Sequence, residues 1–221
     1  MSAGTSYNGW PANSDPAAID VDKGFDVNGV TFPGGIKADD ASTVLGYVFR
    51  ELDARVEEAI PGWCWGYTYK ANTNNPSQLS NHASATAGDY NAPYHPNGGA
   101  QYEGWDDVAG VRAILAEVDG VIRWGADYTG TKDSMHFEVN CDPAELARVA
   151  DRLRQEDDVT LTPAEIDDVA NAVVKKLMGT AVPEFGDPAH PGQPVKVSFQ
   201  NYLPKVGNWS AIAADNTNKA R

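Results

Sequence analysis

Two short segments of this chain gather the residue types that could do acid–base or metal chemistry. Ser80-Asn81-His82-Ala83-Ser84-Ala85-Thr86-Ala87-Gly88-Asp89 sets a histidine ahead of an aspartate among small residues, and Asp133-Ser134-Met135-His136-Phe137-Glu138 sets an aspartate ahead of a second histidine. Together they offer two imidazoles and a carboxylate, the ligand set that Zn²⁺ accepts when one coordination position stays open for water. The offset from His82 to Asp89 is odd, so on one straight strand they would face opposite ways. The chain must therefore turn between them, and the small residues 83–88 permit it. Asp133 and His136 converge only if a bend precedes the second histidine. On a strand starting there, His136 and Glu138 share a face and Phe137 takes the other, so Glu138 is available to orient a ligand imidazole from behind. Spacing alone leaves blander readings open: two unrelated histidines, a turn residue at Asp89, a cap or a solvated charge at Asp133.

The elements that must position these residues are partly legible. Asp39 to Ser42 supply N-cap candidates for a first helix whose apolar positions Val44, Leu45, Val48, Phe49, Leu52, Val56 and Ile60 recur at helical spacing, with Pro61-Gly62 as its stop. Trp63 to Tyr69 is aromatic and predicts a strand. Residues 70–81 and 93–104 read as loops, with a short strand around Asp89 between them. A second helix is expected from Asp106 to Val118, strands at Val121–Trp124 and His136–Asn140, and a third helix from Asp142-Pro143 to Gln155. Residues 1–38, rich in Gly, Asn, Asp and Pro, predict an irregular but ordered segment whose Trp10, Phe25 and Phe32 dock on the body. Thr162-Pro163-Ala164-Glu165 opens a further helix to about Gly179, followed by a Pro-rich tail. That helix could dock on the body or self-associate through 162–179, and the tail could be a linker, a wall-binding segment or simply flexible. The expected division is 1–156 for the main domain and 157–221 for the helix and tail.

Composition narrows the function. The 221 residues carry a formal net charge of −14, which argues against nucleic-acid binding through phosphates and against a polybasic membrane anchor. No apolar run is long enough to insert in a membrane, and Met1 to Asp20 lacks the basic and apolar stretches of a secretory signal. Cys64 and Cys141 lie in no C-x-x-C pair, so they are expected to be reduced. Of the aromatics, Tyr94 and Tyr128 sit in loops flanking the two motifs and are the expected substrate contacts. His95 is expected on a surface loop, and His190 is expected to be unrelated to the site.

The pattern S-x-H-x(6)-D, followed downstream by W-G-x-D and D-x-x-H-F-E, resembles the zinc peptidases of the D-Ala-D-Ala carboxypeptidase/L-alanyl-D-glutamate peptidase family. Its members include bacteriophage endolysins, vancomycin-resistance dipeptidases and, more distantly, hedgehog signalling domains. The resemblance spans residues 40–141, and Asn8-Gly9-Trp10-Pro11 is similar to the start of lysins of phages with actinobacterial hosts. It implies an α+β fold, a small antiparallel sheet with flanking helices around a single zinc site. Carried over by position, His82, Asp89 and His136 would hold Zn²⁺, Asp133 would be the catalytic acid/base, and Ser80 would stand beside the site. Lys70 stands where a substrate-anchoring Arg is common, and offers a point charge rather than a fork. The implied activity is that of an endolysin-type zinc metallopeptidase. It would hydrolyse an amide bond in the stem peptide of peptidoglycan, at L-alanyl-D-glutamate. The alternatives are a D-Ala-D-Ala carboxypeptidase or dipeptidase, and a non-catalytic zinc-fold binding module. An endolysin would be made in the host cytoplasm and reach the cell wall through holin-type release, ending in host lysis.

Overall fold

The computed structural model describes residues 2–157. The expected helix at 162–179, its self-association, the Pro-rich tail and His190 lie outside the described residues. Within them the chain is a small α+β fold of three helices and short antiparallel sheets.

The N-terminal segment is more regular than its composition suggests. Six short strands, β1 (Ala3–Thr5), β2 (Pro11–Asn13), β3 (Val21–Asp22), β4 (Asp26–Val27), β5 (Val30–Thr31) and β6 (Ile36–Lys37), form three two-stranded ladders, β1–β2, β3–β6 and β4–β5. Trp10, Phe25 and Phe32 are buried as expected. Asn8 ties the segment to the body: its Nδ2 donates to Thr86 Oγ1 at 2.8 Å and to the Val139 carbonyl at 2.9 Å, and its backbone N–H donates to Asn81 Oδ1 at 2.8 Å.

Helix α1 (Asp40–Arg55) buries Val44, Leu45, Val48, Phe49 and Leu52, the stripe its periodicity predicts. It ends a turn earlier than expected. The Leu52 carbonyl accepts from both Val56 and Glu57, and the Asp53 carboxylate accepts from the Ala59 N–H at 2.8 Å, so Val56 and Ile60 leave the helix. The strand expected at Trp63–Tyr69 is not formed either. Trp65 exchanges two hydrogen bonds with Asp89, whereas Gly66 and Tyr67 donate to Pro33 and Gly35, and Thr68 donates to His82. The segment is extended, but it divides its bonds among separate partners and builds no continuous ladder.

Strand β7 (Ala87–Asp89) follows the first motif. Helix α2 (Val108–Glu117) opens on Asp107, whose side chain accepts from the Gly110 N–H, and buries Val111, Ile114 and Leu115. Then come β8 (Ile122–Trp124), β9 (His136–Val139) and α3 (Pro143–Asp157). The Asp142 carboxylate accepts from the Ala144 and Glu145 N–H groups at the start of α3. Helices α2 and α3 both pack on α1.

The main sheet has the order β7–β9–β8, all antiparallel, with β9 in the centre. Its register sets Asp89 opposite His136 and Arg123 opposite Glu138. Alternation along β9 turns Phe137 into the core, where the rings of Phe49, Trp105 and Trp124 surround it at centroid distances of 5.9–6.0 Å. His136 and Glu138 point the other way. One face of the sheet thus anchors the hydrophobic core while the other carries the polar groups. No helix among the described residues is long and apolar enough to cross a membrane.

Candidate metal centre

The turn that sequence spacing demands between His82 and Asp89 is a 3-10 turn, Asn81–Ser84, closed by Ala85 in the left-handed region at φ 56°. Ser80 caps it, its Oγ accepting from the His82 N–H at 3.3 Å. The chain reverses there and enters β7, which delivers Asp89 beside His82. The cross-strand pairing with β9 then brings His136 to the same point. His82, Asp89 and His136 are all buried.

The donor atoms converge closely. His82 Nε2 lies 3.2 Å from Asp89 Oδ1 and 3.1 Å from His136 Nδ1, and His136 Nδ1 lies 2.9 Å from Asp89 Oδ1. Tetrahedral Zn²⁺ with bonds of about 2.0–2.1 Å separates its ligand atoms by about 3.3 Å, so the triangle is of the right size. The groups behind the imidazoles sharpen the test. His82 Nδ1–H donates to the Gly66 carbonyl at 2.8 Å, and His136 Nε2–H donates to Glu138 Oε2 at 3.1 Å. Both partners only accept, so in the neutral rings the protons sit on those outer nitrogens. Two imidazole lone pairs and a carboxylate oxygen are left facing one point, an arrangement that a cation satisfies. The residues present therefore fit a divalent metal of zinc's preferences.

In the metal-free protein a proton takes that role. Burial disfavours the His136 imidazolium, but hydrogen bonds to Asp89 and Glu138 and their charges hold its pKa at about 10. Burial would raise the Asp89 carboxyl, yet His82 and His136 hold it well below the usual carboxylate range. Burial likewise opposes Glu138, and His136, Arg123 and Tyr128 bring it down to about 2. Asp133 differs. Burial pushes its carboxyl up and the nearby Asp89 charge adds to the effect, with His136 opposing.

Asp133 is held at the rim of the triad by Gly125. The Asp133 N–H donates to the Gly125 carbonyl at 3.1 Å, and a Cβ on Gly125 would lie 2.3 Å from the Asp133 carbonyl oxygen. The Trp-Gly step therefore permits an approach that any larger residue would block. Its Oδ1 is buried with no hydrogen-bond partner among the described residues, a carboxylate oxygen left free at the site. Asp133 lines a cleft of about 90 Å³ with the three convergent residues, Lys70, Ser80, Asn97 and Tyr128.

Seven of the sequence-derived site residues thus share one cleft, together with Glu138 behind His136. Tyr94 does not join them: it is half exposed and packs edge-on against Trp63 at 4.7 Å. His95 is not a surface residue. It is fully buried, stacked on Trp105 at 4.0 Å, with Nδ1 on the Glu103 carbonyl and Nε2 facing Glu57. It lies outside the convergent group, enclosed by residues distant in sequence.

Two residues that the sequence reading passed over complete the network. Arg123 Nε donates to Glu138 Oε1 at 2.6 Å, and the Asn81 side chain donates to Glu138 Oε2. The signal for Arg123 was present: it is a charge set between the apolar Ile122 and Trp124 of its strand, and Glu138 stands likewise between Phe137 and Val139 in β9.

Residues 73–139 match a family model described as D-alanyl-D-alanine carboxypeptidase, and that stretch contains His82, Asp89, Asp133 and His136. No curated protein and no solved structure matches the chain.

Proposed function

We propose that the protein is a zinc-dependent peptidase that hydrolyses an amide bond in the stem peptide of peptidoglycan. The observation that carries this reading is the convergence of two imidazole lone pairs and one carboxylate beside a buried carboxylate oxygen that has no partner among the described residues. The family match, which covers the same residues, supports it.

His82, Asp89 and His136 would hold the ion. Bound there, it supplies Lewis acidity to the scissile carbonyl and lowers the pKa of the attacking water. The remaining work falls to the chain. Asp133 accepts the proton of that water and passes it to the leaving amine. Glu138, gripped by Arg123 and Asn81, fixes the ring of His136, and the Gly66 carbonyl fixes that of His82. Lys70, exposed at the edge of the cleft, offers a positive charge to a substrate carboxylate. Ser80 and Tyr128 line the path to the reacting bond.

The bond we assign is L-alanyl-D-glutamate, in the setting of a phage endolysin that reaches the wall through a holin-type pore. The second reading is a D-Ala-D-Ala carboxypeptidase, which the description of the matching family favours. Mass spectrometry of muropeptides after digestion separates the two: the first exposes new amino groups on D-glutamate, the second releases free D-alanine. Either product must vanish with chelator and return with Zn²⁺. Hydrolysis undiminished by chelation would overturn the proposal.

A further inference from the structure

A second cavity, of about 310 Å³, opens beside the metal cleft, and Asn72, Asn74 and Tyr128 line both. One wall is the loop 72–75 and the other is Tyr128 to Thr131, with Tyr7 and Arg123 contributing from the N-terminal segment and β8. The loop is shaped by Asn72, whose Oδ1 accepts from the backbone N–H groups of Asn74 and Asn75. The volume is that of a small-ligand site rather than of a single water.

Its chemistry differs from that of the cleft. The two charged side chains in its lining are neutralised where they stand, Arg123 by Glu138 and Asp127 by Arg112. The rest of its polar lining is amide and hydroxyl, Asn72, Asn74, Thr129 and Thr131, with the Asn75 amide already bonded to Ser77 and Gln78. Tyr7 adds an aromatic ring that is half exposed, and the Arg123 guanidinium lies between it and Tyr128, 5.8 Å from one ring centroid and 5.1 Å from the other. Paired donors and acceptors beside an aromatic ring, with no unpaired charge, suit a neutral ligand bearing hydroxyl and amide groups on an apolar ring. A charged peptide segment would leave its own charge unmatched there.

We propose that this cavity binds an N-acetylated hexose of the glycan strand, so that the enzyme grips sugar on one side of the scissile bond and peptide on the other. The inference rests on the peptidoglycan reading above and sharpens it. A sugar seated next to the reacting centre is compatible with cleavage close to the muramyl end of the stem peptide. It is not compatible with trimming at the D-alanyl terminus several residues away.

The test compares two substrates of the full-length zinc-loaded protein: a disaccharide tetrapeptide (N-acetylglucosaminyl-N-acetylmuramyl-L-Ala-D-Glu-diaminopimelyl-D-Ala) and the same tetrapeptide capped by an N-acetyl group. We expect kcat/KM at least tenfold higher with the disaccharide. We expect that ratio to fall towards one in Thr131→Trp and in Thr129→Trp, two exposed positions whose enlargement fills the cavity. A wild-type ratio near one, or a ratio that persists in both filled variants, overturns the proposal while leaving the peptidase reading standing. A parallel NMR titration with the uncharged disaccharide N,N′-diacetylchitobiose needs no turnover. Saturable binding that Thr131→Trp abolishes supports the cavity even if neither peptide is cleaved, which would sink the L-alanyl-D-glutamate assignment alone.

Discussion

Each group at the centre does one thing that its neighbours decide. Asp133 Oδ1 lacks a partner among the described residues and its carboxyl is raised by burial, whereas Asp89, equally acidic in chemistry, is held deprotonated between two histidines. Asp133→Asn is therefore expected to keep its metal by elemental analysis while losing 10²–10⁴-fold in kcat, about what general acid–base catalysis contributes. Loss of the metal with the mutation would make Asp133 a ligand instead. The metal-free protein makes a separate prediction through its stability. His136, raised from 6.5 to about 10, stabilises the fold fully below pH 6.5 and loses that contribution as pH rises to about 10. Asp89 and Glu138 are depressed, so their contribution is complete above the ordinary carboxylate range and is lost as pH falls through it, to about 2 for Glu138. Thermal unfolding in chelator should thus show a maximum between about pH 5 and 6.5, with the melting temperature falling on both sides. A flat profile from pH 6.5 to 9 would contradict the hydrogen bonding described for His136.

At the level of elements, the register of β9 makes the site: Asp89 opposite His136, Arg123 opposite Glu138, and Phe137 turned into the core. The extended segment at residues 63–69 supplies the Gly66 carbonyl that orients His82, and a Cβ on Gly66 would lie 2.2 Å from the Gly35 carbonyl oxygen. Gly66→Ala must push two backbones apart. It is expected to cost about 1–3 kcal/mol of stability and to weaken metal binding by about 10–100-fold, read by denaturant unfolding and calorimetric titration. A variant as stable as the parent, with unchanged affinity, would show that the close approach does not hold His82. The helices and the two motif strands were legible because their signals are local: apolar periodicity, caps, alternation. The absent strand at Trp63–Tyr69 was not. Its β-prone residues predict an extended backbone correctly, but which partner takes each hydrogen bond is settled by Pro33, Gly35, His82 and Asp89, all distant in sequence.

Over the whole of the described chain, the N-terminal segment behaves as part of the site's foundation. Asn8 reaches Asn81, Thr86 and Val139, and Asn81 in turn holds Glu138. Asn8→Ala leaves Thr86 and Val139 short of a donor, at a cost of about 1–3 kcal/mol, and a shifted denaturant midpoint with unchanged slope would check it. The three small ladders here escaped the sequence reading because strands of two or three residues have no usable alternation. His95 escaped it because its enclosure depends on Glu57 and Trp105. The candidate ligands were legible as residue types, but not their tautomers, which follow from the Gly66 carbonyl and Glu138. The central claim is that His82, Asp89 and His136 grip one divalent cation. Crystals of the full-length protein grown with Zn²⁺, measured at wavelengths on either side of the zinc absorption edge, test it most directly. A single anomalous peak within bonding distance of His82 Nε2, His136 Nδ1 and an Asp89 carboxylate oxygen is the predicted result; a zinc peak elsewhere, with none among these three atoms, would contradict it.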